Sequence, residues 1–576
     1  MKKDGATRIE DVAQYIIELF EEFGVKYWFL NLGSDWVPLI NAFAKYEVQG
    51  RTNTKAITVP HEIVTIAMAA GYSIVSGEPS VAAIHTNVGT VNSIGNIMNA
   101  FSERSPLIVL AGKAPITEED APGGRDSFIN WMQDMHDQGG LVRQYVKWDY
   151  EVQTNLNLHT VIGRAIKIAN SPPKGPVYLM FPREVLVGKM DGVSRLSVPK
   201  FRCSTPTAPD PDAIRKVAEV LVESEMPLII TSSLGGNPKS VNHLIRLCNR
   251  LAVPVVEHVG NRMNFPTTNK LHLGYDPSPY VEKADVILVI DNIVPWIPKR
   301  VKISDSTFII HINNDPTFRR IPLWGFHADL PIAADSNLAL SALVNSVEKI
   351  MDTRPNVEQK IETRRKEIEQ IHDKKKQQDL ETALQSRRLN VISKQWLSYV
   401  INKVKSDDSV ILDSYVLRRN QVEFEQTGTF IGQPLMGYLG WSYGAALGVK
   451  LAMPDMNVIN CLGDGAYLYC VPDVCNWVSK AYDIPVLTVI FNNKGHQALR
   501  RMHTQLYPDG WSTKSNRYHG VDFDFSTKFS ETAKVYGLYS ESVEKPDDVE
   551  NALRRGLEYT KKKKVGAVID VVCGMT

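Results

Sequence analysis

Little in this chain of 576 residues points to a membrane, a nucleic acid or an oxidising compartment. No stretch approaches the roughly 18 consecutive uncharged apolar residues of a membrane-crossing helix. The start, Met1-Lys-Lys-Asp-Gly5, has no apolar signal-peptide core. The formal net charge is only +1, so electrostatics supply no basis for nucleic-acid or membrane partners. Cysteine is scarce: Cys203, Cys248, Cys461, Cys470, Cys475 and Cys573 form no CxxC pair and no metal-ligand spacing. They read as reduced thiols of a cytoplasmic protein. The middle third carries no GxGxxG, and Gly235-Gly236 alone is too little to hold a flavin dinucleotide.

What is present is globular. Hydrophobic residues make up 43% and charged residues 22%, as in soluble domains, and the length suggests roughly three or four domains. From about residue 8 to 190 amphipathic helices alternate with apolar strands, ending in Gly175-Pro-Val-Tyr-Leu-Met-Phe-Pro182. That alternation predicts a parallel sheet covered by helices. The linker Cys203-Ser-Thr-Pro-Thr-Ala-Pro-Asp-Pro211 leads to a second α/β unit with strands expected at Pro227–Thr231, Val253–Glu257, Val286–Ile290 and Thr307–His311. A charged helix, Gln359–Arg388, reads as a solvated connector, and a third α/β unit runs from about 390 to the end.

The richest stretch lies in that third unit. An apolar strand, Val458–Leu462, runs into Gly463-Asp464-Gly465, and a second, Pro485–Phe491, runs into Asn492-Asn493. Asp464 offers a carboxylate, Gly465 lets backbone approach a phosphate, and Asn493 offers a side-chain carbonyl. The Gly495 carbonyl can add a third oxygen. Mg²⁺ takes octahedral oxygen ligands at roughly 2.1 Å and completes its shell with phosphate and water. Parallel strand ends joined by one crossover helix lie side by side, so Asp464 and Asn493 can share one ion on a diphosphate. Gly-Asp-Gly alone is an ordinary strand-to-helix turn; the two strands and the Asn pair make it specific. A kinase-like phosphate transfer is set aside because no Walker lysine accompanies the motif.

This combination resembles the thiamine diphosphate motif, and the resemblance requires a second half-site: a carboxylate that hydrogen-bonds the cofactor's aminopyrimidine. Val59-Pro60-His61-Glu62 opens the apolar run Ile63–Gly71, where an acid is costly without a dedicated partner. An acid in a first helical turn is otherwise explained by the helix dipole, but that explanation expects a solvated face. With Val25–Asp35, Ser80–Asn92 and Ser105–Gly112, the chain resembles the thiamine diphosphate-dependent decarboxylases and acetolactate synthases over almost its full length. The resemblance implies an α/β fold of three doubly wound parallel-sheet domains: pyrimidine-binding (1–190), central (205–350), a charged helical connector (351–389) and diphosphate/Mg-binding (390–576).

It also implies roles. In Leu435–Gly448, Gly437 would accept from the cofactor's amino group and Leu439 would wedge beneath it to impose a bent shape. Gly465, Ala466 and Ser414 would line the diphosphate. Asn31-Leu-Gly-Ser34 and Ile84-His85 resemble the stretches of benzoylformate decarboxylase that carry a substrate-carboxylate serine and an active-site histidine. Ser34 could then bind the carboxylate and His85 relay protons, although a lone histidine at a strand end is more often structural. The second histidine expected in the central domain is replaced by Asp291-Asn-Ile-Val-Pro-Trp296, and His496 is the candidate substitute.

The implied function is decarboxylation or carboligation of 2-oxo acids through an enamine, with thiamine diphosphate and Mg²⁺. The partners would be a 2-oxo acid, with an aldehyde or second keto acid as acceptor. Ser34 and His85 favour the decarboxylase side; an acetolactate synthase-type carboligase or a 2-hydroxyacyl-CoA lyase are the alternatives. A non-catalytic scaffold would have lost Glu62 or Asp464. The family builds its site between two subunits, which implies a homodimer or a dimer of dimers.

Overall fold

The computed structural model describes residues 9–51, 53–190, 201–354, 356–523 and 528–574. The amino-terminal stretch weighed above for a signal peptide, residues 1–5, lies outside them. Two compact bodies emerge: Met1–Ser204 with Gln433–Ser542 and Arg555–Asp570, and Thr205–Gly432 with Val543–Arg554 and Val571–Thr576. Among the described residues no helix is long and apolar enough to cross a membrane, and all six cysteines are free thiols.

The amino-terminal sheet comprises β1 (Tyr27–Asn31), β2 (Lys55–Thr58), β3 (Ser80–Ile84), β4 (Leu107–Lys113), β5 (Asp149–Glu151) and β6 (Val177–Pro182). Their order is β2-β1-β3-β4-β6-β5, with every pairing parallel. Strands such as β3 and β6 are buried at every position, which is why they read as unbroken apolar runs rather than alternating ones.

In the second body β7 (Pro227–Thr231), β8 (Val255–Glu257), β9 (Val286–Ile290), β10 (Phe308–Asn313) and β11 (Leu330–Ala333) form a sheet in the order β11-β10-β9-β7-β8. It too is parallel throughout, and four of its strands coincide with the apolar runs expected from sequence. The charged helix spans Val357–Arg387, but it is more than a solvated connector: Ile361, Arg364, Ile368 and His372 are buried along it. Arg364 donates to the Ser224 carbonyl at 2.9 Å and the Ala252 carbonyl at 3.1 Å, which satisfies a cation that burial would otherwise penalise. The parallel pair β12 (Ser409–Asp413) and β13 (Phe430–Gly432) belongs to this body as well.

The third unit's central strands, β14 (Asn457–Gly463) and β15 (Leu487–Asn492), lie in the first body and pair in parallel with Gly463 opposite Phe491. Within that body the helix Glu62–Ser76 lies against the helix Ser442–Ala452 at glycine contacts. A Cβ on Gly71 would stand 2.3 Å from the Ala445 carbonyl oxygen, and one on Gly448 would stand 2.0 Å from the Met68 carbonyl oxygen. Both glycines are therefore required for backbone-to-backbone approach.

Candidate active site

Strands β2, β1 and β3 are neighbours, with Leu30 opposite Thr58 and Asn31 opposite Ile84. The chain leaves β1 toward β2 and leaves β3 toward β4, so the strand order reverses between β1 and β3, where open parallel sheets leave a crevice. Three of the singled-out residues leave these strand ends: Glu62 after β2, Ser34 after β1, and His85 after β3.

Glu62 opens its helix, with the His61 side chain capping at the Ile63 amide. The carboxylate is half-buried and accepts from Asn92 Nδ2 at 2.7 Å. Gly89 presses beside it, since a Cβ there would lie 3.2 Å from Glu62 Oε1. The dedicated partner that the apolar setting demands is thus Asn92, delivered by the helix Thr86–Ser102.

His85 is held from both ring nitrogens. Nδ1 lies 2.6 Å from Asp35 Oδ1, and Nε2 lies 3.1 Å from Gln133 Nε2. Asp35 is 4% exposed, and the Trp36 indole donates to the Ile84 carbonyl at 2.8 Å, fastening its turn to β3. The Asp35 hydrogen bond raises the His85 pKa above its ordinary value; burial opposes this, and the charges of Asp35 and Glu62 add to it. Ser34 opens the short turn Ser34–Trp36 and is exposed.

The other half gathers at the ends of β14 and β15. Asp464 is 2% exposed; its Oδ1 accepts from the Gly465 amide at 2.8 Å and its Oδ2 from the Gly495 amide at 2.9 Å. Burial raises its pKa, against the lowering effect of those backbone donors and of His496. Asn493 is buried and, among the described residues, its Oδ1 has no hydrogen-bond partner. A buried orphaned carbonyl beside a buried carboxylate is an oxygen donor set that a hard divalent cation satisfies. Among the described residues no three His, Cys, Asp or Glu side chains group as a metal site, so further ligands here would be carbonyl, water or phosphate oxygens.

His496 packs on this turn: a Cβ on Gly465 would stand 2.6 Å from its Cε1, and its ring meets Phe523 edge-on at 5.1 Å. Ala466 is buried in the short helix Asp464–Tyr469. The Gly495 carbonyl accepts from the Gln497 amide at 3.1 Å. Gly437 has φ +76°, with nothing within 4 Å of a Cβ built there. Leu439 is half-buried, its carbonyl accepting from Trp441 at 2.8 Å and from the Cys470 thiol at 3.6 Å. Ser414 is buried beyond β12 in the other body.

Sequence reasoning passed over the link between the two halves. Asn96 and Asn99, both fully buried, continue the helix face that carries Asn92. Asn96 Nδ2 donates to the Ile63 carbonyl at 2.8 Å and the Gly440 carbonyl at 2.7 Å. Asn99 Nδ2 donates to the Tyr438 carbonyl at 2.9 Å. Leu439 is thus held between two anchored carbonyls. The spacing of Asn92, Asn96 and Asn99 by four and three positions puts them on one face, a signal visible in the sequence. Asp35 was legible only as the neighbour of Ser34, and Gln133 carried no signal at all.

This architecture, with its buried acid-and-amide cradle at parallel strand ends, is that of a diphosphate-binding α/β enzyme. Residues 10–141 match the thiamine pyrophosphate enzyme N-terminal TPP binding domain, residues 214–343 the central domain, and residues 414–571 the C-terminal TPP binding domain. The chain belongs to the thiamine pyrophosphate enzymes. It is 25% identical to a probable acetolactate synthase large subunit of Methanocaldococcus jannaschii, across 97% of this chain and 92% of that one. It is 24% identical to a benzoylformate decarboxylase of Pseudomonas aeruginosa, across 94% and 95%. The solved benzoylformate decarboxylase of Polynucleobacter necessarius superposes with a TM-score of 0.77 at 20% identity, covering 99% of each chain. A 4-hydroxybenzoylformate decarboxylase of Rhodococcus jostii gives 0.77 at 22%, covering 98% and 99%.

Proposed function

We propose that the protein uses thiamine diphosphate and Mg²⁺ to decarboxylate a 2-oxo acid in the cytosol. The observation that carries the cofactor assignment is the buried Asp464 carboxylate beside the orphaned Asn493 carbonyl. When bound, the cofactor supplies a nucleophilic carbon and an electron sink.

The chain's own residues do the rest. Asp464, Asn493 and the Gly495 backbone carbonyl bind the cation. Gly465 and Ala466 bind the diphosphate. Gly437 accepts from the amino group, and Leu439 sets the bend between the cofactor's rings. Glu62 holds a proton at the aminopyrimidine nitrogen, oriented by Asn92. Ser34 binds the substrate carboxylate and His85 relays protons, with His496 as the candidate for the further proton donor. The resemblance to a family that builds its site between two subunits supports a homodimer or a dimer of dimers.

Carboligation to an acetolactate-type product is the second reading, favoured by relatives such as the acetolactate synthase large subunits. Incubating protein, thiamine diphosphate and Mg²⁺ with a panel of 2-oxo acids, with and without aldehydes, separates the two by product. Aldehyde and CO₂ release alone supports the first, acyloin or acetohydroxy acid the second, and no turnover of any 2-oxo acid rejects both. Sedimentation of the same sample tests the assembly; an active monomer would contradict the shared site.

A further inference from the structure

The Asp35–His85 pair is built more tightly than its neighbours require. Asp35 is 4% exposed, with Oδ1 2.6 Å from His85 Nδ1. Among the described residues its other oxygen accepts only from the Thr86 amide, at 3.4 Å. A buried carboxylate with so little backbone support needs a charged or strongly donating partner, and His85 is that partner. Space has been cleared for both groups: a Cβ on Gly33 would stand 2.1 Å from His85 Nδ1, and one on Gly112 would stand 1.4 Å from Asp35 Oδ2. Neither glycine has a positive φ, so it is room for these two side chains, not backbone conformation, that requires glycine there.

We propose that the buried Asp35 carboxylate is the positioning residue that holds His85 as an imidazolium, its Nδ1–H committed inward and its Nε2–H turned toward the Gln133 amide, whose place the carboxylate of an anionic substrate takes. The substrate part rests on the 2-oxo acid reading above; the Asp35–His85 part does not. The groups facing His85 are Asp35 from the turn after β1, Glu62 from the start of its helix, and the neutral Gln133 amide beyond the segment Ile129–Met132. Both ionisable neighbours are acids, so the local field favours the charged ring. The Gln133 amide, 3.1 Å from Nε2, marks where a polar ligand atom would stand. Turning that amide over presents its oxygen to an Nε2–H without moving a heavy-atom position. A neutral imidazole with Nδ1–H bonded to Asp35 would offer only a lone pair at Nε2, which repels a carboxylate.

The test is histidine-ring NMR on the full-length chain, without and with thiamine diphosphate and Mg²⁺, the His85 signal being assigned by its loss in His85→Gln. The wild-type ring is expected to titrate above pH 6.5, and Asp35→Asn, which keeps the shape and removes the charge, to lower that midpoint by about one pH unit or more. A folded Asp35→Asn protein with an unchanged midpoint overturns the proposal. If that variant does not fold, the wild-type midpoint decides: at or below 6.5 overturns it, above supports it. With benzoylformate or pyruvate as probe, Asp35→Asn should raise KM at pH 7 by about tenfold or more and move the alkaline limb of kcat/KM downward. A shifted ring midpoint with KM and the pH profile unmoved would overturn the substrate-reading role. Failure of every 2-oxo acid would reject the proposed function while leaving the titration result to stand.

Discussion

The side-chain amide of Asn96 lies 2.7 Å from the carbonyl of Gly440, so a residue of the amino-terminal sheet's helix fixes the turn that presents Leu439. The same nitrogen holds the Ile63 carbonyl at 2.8 Å, one residue beyond Glu62. The start of the Glu62 helix and the turn that carries Leu439 are thereby positioned by a single buried amide.

Replacing Asn96 by alanine leaves the Ile63 and Gly440 carbonyls buried without their donor. We expect a loss of about 1–3 kcal/mol in unfolding free energy, read from urea midpoints, together with weaker thiamine diphosphate binding by calorimetry. A stability loss with unchanged cofactor affinity would show that the turn keeps its shape without Asn96.

Glu62→Gln keeps an oxygen for Asn92 to donate to and should fold normally by circular dichroism. Turnover should fall by roughly 10²–10⁴-fold, the usual contribution of a positioned proton-transfer group. Near-normal turnover would remove Glu62 from its assigned role.

Asp464→Ala should abolish Mg²⁺ and cofactor retention together, and it also leaves the buried Gly465 and Gly495 amides without their acceptor. Thermal stabilisation by added thiamine diphosphate and Mg²⁺, normally RT ln(1 + [L]/Kd), should vanish; its persistence would relocate the metal site.

Asp413, fully buried at the end of β12, has its pKa pushed up to about 6 by desolvation. A carboxyl whose folded pKa exceeds its unfolded value of 3.8 stabilises the fold relative to neutral pH only while protonated, and that advantage is lost as pH rises through about 6. Its Oδ1 accepts from the Val416 and Leu417 amides at 2.9 and 3.0 Å, and an asparagine oxygen can do the same. Asp413→Asn should therefore raise stability at pH 7.5 by up to about 3 kcal/mol and change little at pH 4.5. Equal urea midpoint shifts at both pH values would contradict this.

Gly71→Ala would drive a methyl to 2.3 Å from the Ala445 carbonyl oxygen. Separating the two helices should cost about 1–3 kcal/mol, visible as a lower Tm, and an unchanged Tm would mean that the helices can slide apart freely.

Strands that are buried on both faces announce themselves as continuous apolar runs, so β3, β4, β6, β7, β9 and β10 were legible in the sequence, whereas the part-exposed edge strands β2 and β5 were not. The adjacency of the strand ends that carry Asp464 and Asn493 was legible too, because adjacent parallel strands place their ends together. The connector was read too simply: Ile361, Ile368 and the buried Arg364 are diluted by the surrounding charges, and only the carbonyls waiting at Ser224 and Ala252 explain the buried cation.

What the sequence determined by itself was chemistry carried by neighbours along the chain: the sheets, the glycine turns, the acid at a helix start and the class of cofactor. What the tertiary structure alone decided was which distant groups meet. Asp35 and His85 are 50 positions apart and meet because β1 and β3 are adjacent. Asn96 and Gly440 are 344 apart and meet because the packed helices on either side bring that turn within reach. Pairings of this kind depend on strand order and helix contact, which are properties of the packed chain and leave no local trace in the residues that make them.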